Sequence, residues 1–275
     1  MGQIKKILSY MTKHFWRLIL PVVPSAILFG LFYEQAFSLT FVDKYSVTPI
    51  RGLGDVFGLV FSGEWWYYVL LLPVMFIILI CSGSYLVSMV YKHFRTGKIS
   101  IRTPFVNMNH SFGAILFAVF VVFVGMLLYK FIFACIVSFI SMIPATTALP
   151  GSAEITLTVV FGIITYFPMV YVFMYPILTT SVMLVYGYPV GDAISFALKL
   201  HDKPKFYEVE IAYMFPFAIC AVVAYLLMAL GMPAFVDAII KIICEIFALS
   251  YLVVFSITVV FDLLQIERMD TKKLY

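Results

Sequence analysis

The chain has 275 residues, 64% hydrophobic and 12% charged, with a mean hydropathy of +1.07 and a formal net charge of +4. Soluble domains carry about 45–50% apolar and about 25% charged residues, so this composition excludes an ordinary soluble domain and calls for lipid around the apolar surface. The apolar runs are continuous instead of alternating, which argues against a membrane β-barrel and predicts an all-α fold: a polytopic integral membrane helical bundle.

A helix needs about 20 apolar residues to cross the roughly 30 Å hydrocarbon layer. Six runs reach or approach that length, at residues 16–33, 65–91, 112–143, 155–186, 209–230 and 234–264, and together they make one transmembrane domain over 1–275. Lys5, Lys6, Lys13 and Arg17 precede or open the first run. No small-residue cleavage pattern follows it, so the first run reads as a retained helix. Pro21 and Pro24 favour a kink within it.

The segment 34–64 holds Gly52, Leu53, Gly54 and Asp55. These resemble the GxGD motif of presenilin-type intramembrane aspartyl proteases. Aspartyl chemistry needs a second carboxylate in the same site. No Tyr-Asp pair lies on an earlier helix, and the later Met232, Pro233, Ala234 and Phe235 lack the leucine of the family's Pro-Ala-Leu. The glycines read instead as a turn before the aromatic belt Trp65, Trp66, Tyr67 and Tyr68, which suits a helix end at headgroup level.

Between the second and third runs, Lys92, Arg95, Lys98 and Arg102 interleave with aromatics. Basic residues beside an inner leaflet attract anionic headgroups by about 1 kcal/mol each, and they also hold a loop inside. The loop carries no nucleic-acid module, so no nucleic-acid partner is expected. Lys130 follows the apolar stretch 112–129, about 27 Å of helix, and falls in the outer half of the membrane.

After the fourth run, Ala193, Phe196, Ala197 and Leu200 share one face and Ser195, Lys199 and Asp202 another, which predicts an amphipathic helix over 190–200. Asp192 suits its N-terminus, Pro204 stops it, and the inner membrane face is its expected resting place. The sixth run carries Asp237, Lys241 and Glu245 at i, i+4 and i+8, on one helix face. With Lys130 they form a candidate intramembrane charge cluster, read either as a polar outward-facing pocket or as structural ion pairing.

Lys and Arg set the orientation. Fourteen lie on the side of the N-terminus, the 92–102 loop, the 199–205 loop and the tail (Arg268, Lys272, Lys273), against Lys44 and Arg51 opposite, so both termini are expected in the cytoplasm. Cys81, Cys135, Cys220 and Cys244 all lie in apolar runs without metal-ligand spacing and read as packing residues. His14, His93, His110 and His201 lie in separate segments. With no zinc, phosphate-loop or nucleophile-elbow motif, neither metal, cofactor nor catalytic residue is expected.

The run ending at 85–98, the opening of the next helix at 105–115 and the later stretch 172–198 resemble the YesL-like bacterial membrane proteins, and the membrane domains fused to some glycerophosphodiester phosphodiesterases. The likeness spans about 73–217 and rests on pattern. It implies a bacterial plasma-membrane protein and carries no site residue over. The expectation is a non-enzymatic multi-pass protein of the cell membrane: a subunit or accessory component linked to transport or envelope lipids, with a membrane-protein partner or a second copy of itself. The alternative is a small secondary transporter working through Lys130, Asp237, Lys241 and Glu245.

Overall fold

The computed structural model describes residues 2–32, 72–99, 102–142, 164, 168, 170–204, 206–230 and 233–271. Segment 34–64 with Asp55, and the aromatics at 65–68, lie outside these residues. The described elements are all helical: α1 (Gly2–Lys13), α2 (Phe15–Phe32), α3 (Leu72–Thr96), α4 (Arg102–Met142), α5 (Met174–Tyr186), α6 (Val190–Lys199), α7 (Phe206–Leu230) and α8 (Ala234–Leu263), with 3-10 turns at Leu200–Asp202 and Met269–Thr271. Within them, four stretches are long and apolar enough to cross a membrane: Pro73–Thr96, Ser111–Tyr129, Phe206–Val223 and Phe235–Leu263. A fifth results if Val170–Tyr186 and Val190–Asp202, bent by 113°, count as one span, and Phe15–Leu28 is apolar but shorter.

Helix α8 lies at the centre, packed against α2, α7, α3, α5 and α1. Its second half is apolar or small all round, the pattern of a helix enclosed by others. Ala248, Tyr251, Val254, Phe255, Ile257, Val260 and Phe261 are buried there. Its first half is different: Phe235, Ile239 and Ile243 are exposed, as lipid-facing side chains would be. The Tyr251 hydroxyl donates to the Ala212 carbonyl on α7 at 2.8 Å, so this buried phenol has a partner.

Small residues let α3 and α4 approach closely. Ser88 donates to Ser111 at 2.8 Å, and Ser111 donates to the Ser84 carbonyl at 2.9 Å. Such hydroxyl bridges hold helices where lipid offers no hydrophobic drive. On the opposite side of α4, Phe112, Leu116, Phe120, Val124, Leu128 and Ile132 form an exposed row at i, i+4 spacing.

The basic loop is shorter than its sequence suggests. Helix α3 runs on to Thr96, ending at Gly97 with φ +69° and a 2.8 Å bond from its N–H to the His93 carbonyl. Helix α4 already begins at Arg102, its Pro104 in the first turn, where proline removes no helical bond. The polar residues Asn107, Asn109 and His110 therefore lie on helix. At 41 residues α4 extends about 60 Å, well beyond the hydrocarbon layer, so polarity there does not mark a loop. The amphipathic helix at 190–200 is present as α6, with Ala193, Ala197 and Leu200 buried and Ser195, Lys199 and Asp202 exposed.

Where α4 meets the break before α5, the Phe173 ring occupies the space that a Cβ on Gly125 would need, with Phe173 Cζ 2.7 Å away. Replacing Gly125 by alanine therefore forces the Phe173 ring out of its place, at a cost of about 1–3 kcal/mol. Thermal unfolding in detergent should show that loss, and Gly125→Ala with Phe173→Ala should lose less than the two single changes summed. Simple additivity would show that α4 and α5 do not meet here.

Candidate functional site

One end of the bundle gathers α1, the start of α2, the end of α3 and the tail after α8. Helix α1 forms because Ile4, Ile7, Leu8 and Met11 recur at helical spacing, with Tyr10 on the same side, while Lys5, Lys6, Ser9, Thr12 and Lys13 stay exposed. Ile7 and Tyr10 are buried, and Lys6 pairs with Asp262 near the end of α8 at 2.6 Å. Phe15 and Trp16 point outward, their rings edge-on at 5.4 Å, as headgroup-level anchors do.

Tyr10 Oη lies 2.8 Å from His93 Nδ1 in a buried contact. The His14 ring sits edge-on to His93 at 4.8 Å, and Phe94 lies edge-on to Tyr10 at 5.2 Å. Burial first, then Asp270, push the Tyr10 phenol up, so it stays protonated and can donate to Nδ1. From the tail, Arg268 forks onto Asp270 at 3.1 and 2.9 Å, and its guanidinium carbon stands 3.8 Å from the Phe94 ring centre. A Cβ on Gly97 would lie 3.0 Å from the Met269 carbonyl oxygen, so the tail is pressed onto the end of α3. These contacts clasp both ends of the chain to α3.

A second polar group joins the segment just before α5, α7 and the turn between α6 and α7. Tyr171 donates to Glu210 Oε1 at 2.7 Å, and exposed His201 Nδ1 lies 3.7 Å from the same oxygen.

The basic residues read from sequence have separate fates. Arg95 reaches the Val185 carbonyl at 3.5 Å and lies 5.6 Å from the Tyr91 ring centre and 6.0 Å from that of Phe261, so it ties α3 to α5 and α8. Lys98 is exposed and Lys92 half-buried. The side chain of Arg102 lies outside the described residues, as does that of Lys130. Helix α4, which carries Lys130, packs chiefly on α3 and α5. Lys241 and Asp237 form an ion pair at 2.5 Å. One turn further along, Glu245 Oε2 is buried with no hydrogen-bond partner among the described residues. Among the described residues, no group of three or more His, Cys, Asp and Glu side chains is placed to hold a metal ion.

Sequence reasoning missed the clasp. Tyr10 and His93 are 83 positions apart, and nothing in either local pattern names the other. The one available signal was the helical period of Ile4, Ile7, Leu8 and Met11, which marks α1 as packed on protein instead of trailing free.

The clasp makes a pH prediction. Burial first, then the charges of His93, Lys13 and Arg17, lower the His14 pKa from 6.5 to about 4, with Asp270 opposing. The unfolded chain then takes up a proton at a pH where the folded chain does not. Stability contributed by neutral His14 is present above about 6.5 and is lost as the pH falls towards 4. The melting temperature in detergent should fall across that window, and His14→Gln should flatten the fall. An unchanged profile in His14→Gln would remove His14 from the clasp.

No family model matches the chain, and no curated protein or solved structure shows significant similarity to it.

Proposed function

We propose that the chain is a non-enzymatic multi-pass protein of the plasma membrane, a membrane-embedded subunit or accessory component linked to transport or envelope lipids. In this reading it has six spans, both termini in the cytoplasm, and the basic end against anionic lipid of the inner leaflet. The observation that carries it is the filled axis of the bundle. The inner half of α8 is enclosed by bulky side chains, with Tyr213, Tyr251, Phe94, Phe255 and Phe261 all fully buried. A helix packed in that way supports neighbours and presents outer faces, which is the work of a scaffold. The exposed row on α4 is one such face, suited to lipid or to a partner helix.

The orientation is supported by two independent features. The positive charges favour one side, and the clasp brings α1 and the tail to one end of the bundle. A second reading, the small secondary transporter, is favoured by the buried Glu245 oxygen and the Asp237–Lys241 pair, since intramembrane ionisable groups often mark a substrate path.

Two measurements test these readings. In a background without native cysteines, an impermeant thiol reagent should label Ser46→Cys in intact cells and Thr96→Cys only after permeabilisation; the reverse pattern inverts the topology. Purification from native membranes in mild detergent should yield the chain with a stoichiometric membrane partner. Recovery of the chain alone, active in solute uptake in liposomes, would replace the accessory role with the transporter.

A further inference from the structure

Helices α7 and α8 are antiparallel neighbours, and Cys220 and Cys244 face each other across their boundary. The Cys220 thiol lies 3.8 Å from the Cys244 carbonyl oxygen. Glu245 follows Cys244 directly on α8, and its Oε2 is buried without a hydrogen-bond partner among the described residues. Two thiols thus meet across two helices, with a buried carboxyl one residue along α8. Packing alone accounts for a small apolar cysteine. It does not account for a carboxylate kept next to the pair at the cost of desolvation.

The surroundings say from which side a reagent arrives. The apolar stretch 246–261 separates the pair from the basic end by about 24 Å of helix, which places it towards the outer edge of the hydrocarbon layer. Ile219, Val222 and Ile243, beside the two cysteines in sequence, are exposed on the lipid-facing surface. Cys220 is buried and Cys244 half-buried, so access runs along apolar side chains from the acyl phase.

We propose that Cys220 and Cys244 form a dithiol that a membrane-dissolved quinone oxidises to a disulfide, with Glu245 accepting a thiol proton. Two S–H bonds break and one S–S bond forms. The electron pair passes to the quinone, whose two carbonyl oxygens take up the two protons, one of them by way of Glu245, and a quinol leaves. A quinone fits because it dissolves in lipid and accepts both electrons and both protons. The carboxylate fits because the thiolate is the reactive species and must form where water is scarce. The product pins α7 to α8 in their outer halves. This event needs one turnover only and stands independently of the accessory role.

The test uses the full chain in liposomes with Cys81 and Cys135 replaced by serine, and decylubiquinone as the oxidant. Thiols remaining after denaturation are counted by the gel shift of a polyethylene glycol maleimide. Quinone should reduce the count from two to none, release one quinol per chain, and be reversed by dithiothreitol. Glutathione disulfide at equal concentration should leave both thiols. Cys220→Ser should keep the Cys244 thiol after quinone, and Glu245→Gln should slow oxidation by at least about tenfold without changing the end point. In the unmodified chain, mass spectrometry after quinone should find the linked Cys220 and Cys244 peptides. Thiols that persist with quinone in a monodisperse preparation, or absence of the linked peptides, would overturn the dithiol. Equal oxidation by glutathione disulfide would overturn the lipid route, and an unchanged rate in Glu245→Gln would remove the carboxylate from the step.

Discussion

The fold depends on enclosing the second half of α8. Lipid tails are as apolar as leucine, so burying that surface gains little from the hydrophobic effect, and the helices are held by close packing and by hydrogen bonds between them. Helix α8 meets both needs. Its Tyr251, Phe255 and Phe261 fill the space between α2, α3, α5 and α7, and the Tyr251 hydroxyl has its partner in the Ala212 carbonyl. Ser256 follows the same logic. It returns its hydrogen bond to Val253 of its own helix at 3.0 Å, so it can sit in an apolar contact without leaving a polar group unmet.

That enclosure divides the molecule into two unlike halves. Around the second half of α8 the bundle is closed, and its end is clasped by Lys6 on Asp262, Tyr10 on His93, and Arg268 against Phe94. Around the first half, Phe235, Ile239 and Ile243 are exposed, and the one described ion pair lies within a single helix, Asp237 with Lys241. Within-helix pairing neutralises charge without fixing any neighbour in place. Contact between α7 and α8 there is supplied by side chains such as Cys220 and Cys244.

Hydropathy made the helices legible because it averages over a window, and a window of about 20 residues matches the membrane. The end of α8 at Leu263 and the start of α2 at Phe15 fall within a residue of the expected bounds for that reason. The same averaging hid the first turns of α4, since helix continues past the membrane boundary where hydropathy drops. Partner choice was not legible at all. Asp237 and Lys241 could be paired from spacing because their partners are local. Tyr10 with His93, and Tyr171 with Glu210, are joined only by the fold, and each residue alone looks like an ordinary aromatic or an ordinary charge.

Basic residues show the consequence most directly. A count of Lys and Arg treats them all as one field that holds loops inside, with headgroup attraction as a by-product. The structure separates them. Lys6 is paired with Asp262, Arg95 turns to the Val185 carbonyl, and Arg268 lies half-buried between Asp270 and the Phe94 ring. Lys5, Lys13, Arg17, Lys98, Lys199 and Lys203 are exposed. At about 1 kcal/mol per residue near an anionic surface, exposed cations of this kind are the ones free to meet headgroups. They flank the outward-facing Phe15 and Trp16 on one side and stand along α6 on another. Beside α1, charge and aromatic anchoring therefore fall on the same surface, at the end of the bundle where the clasp joins α1, α3 and the tail.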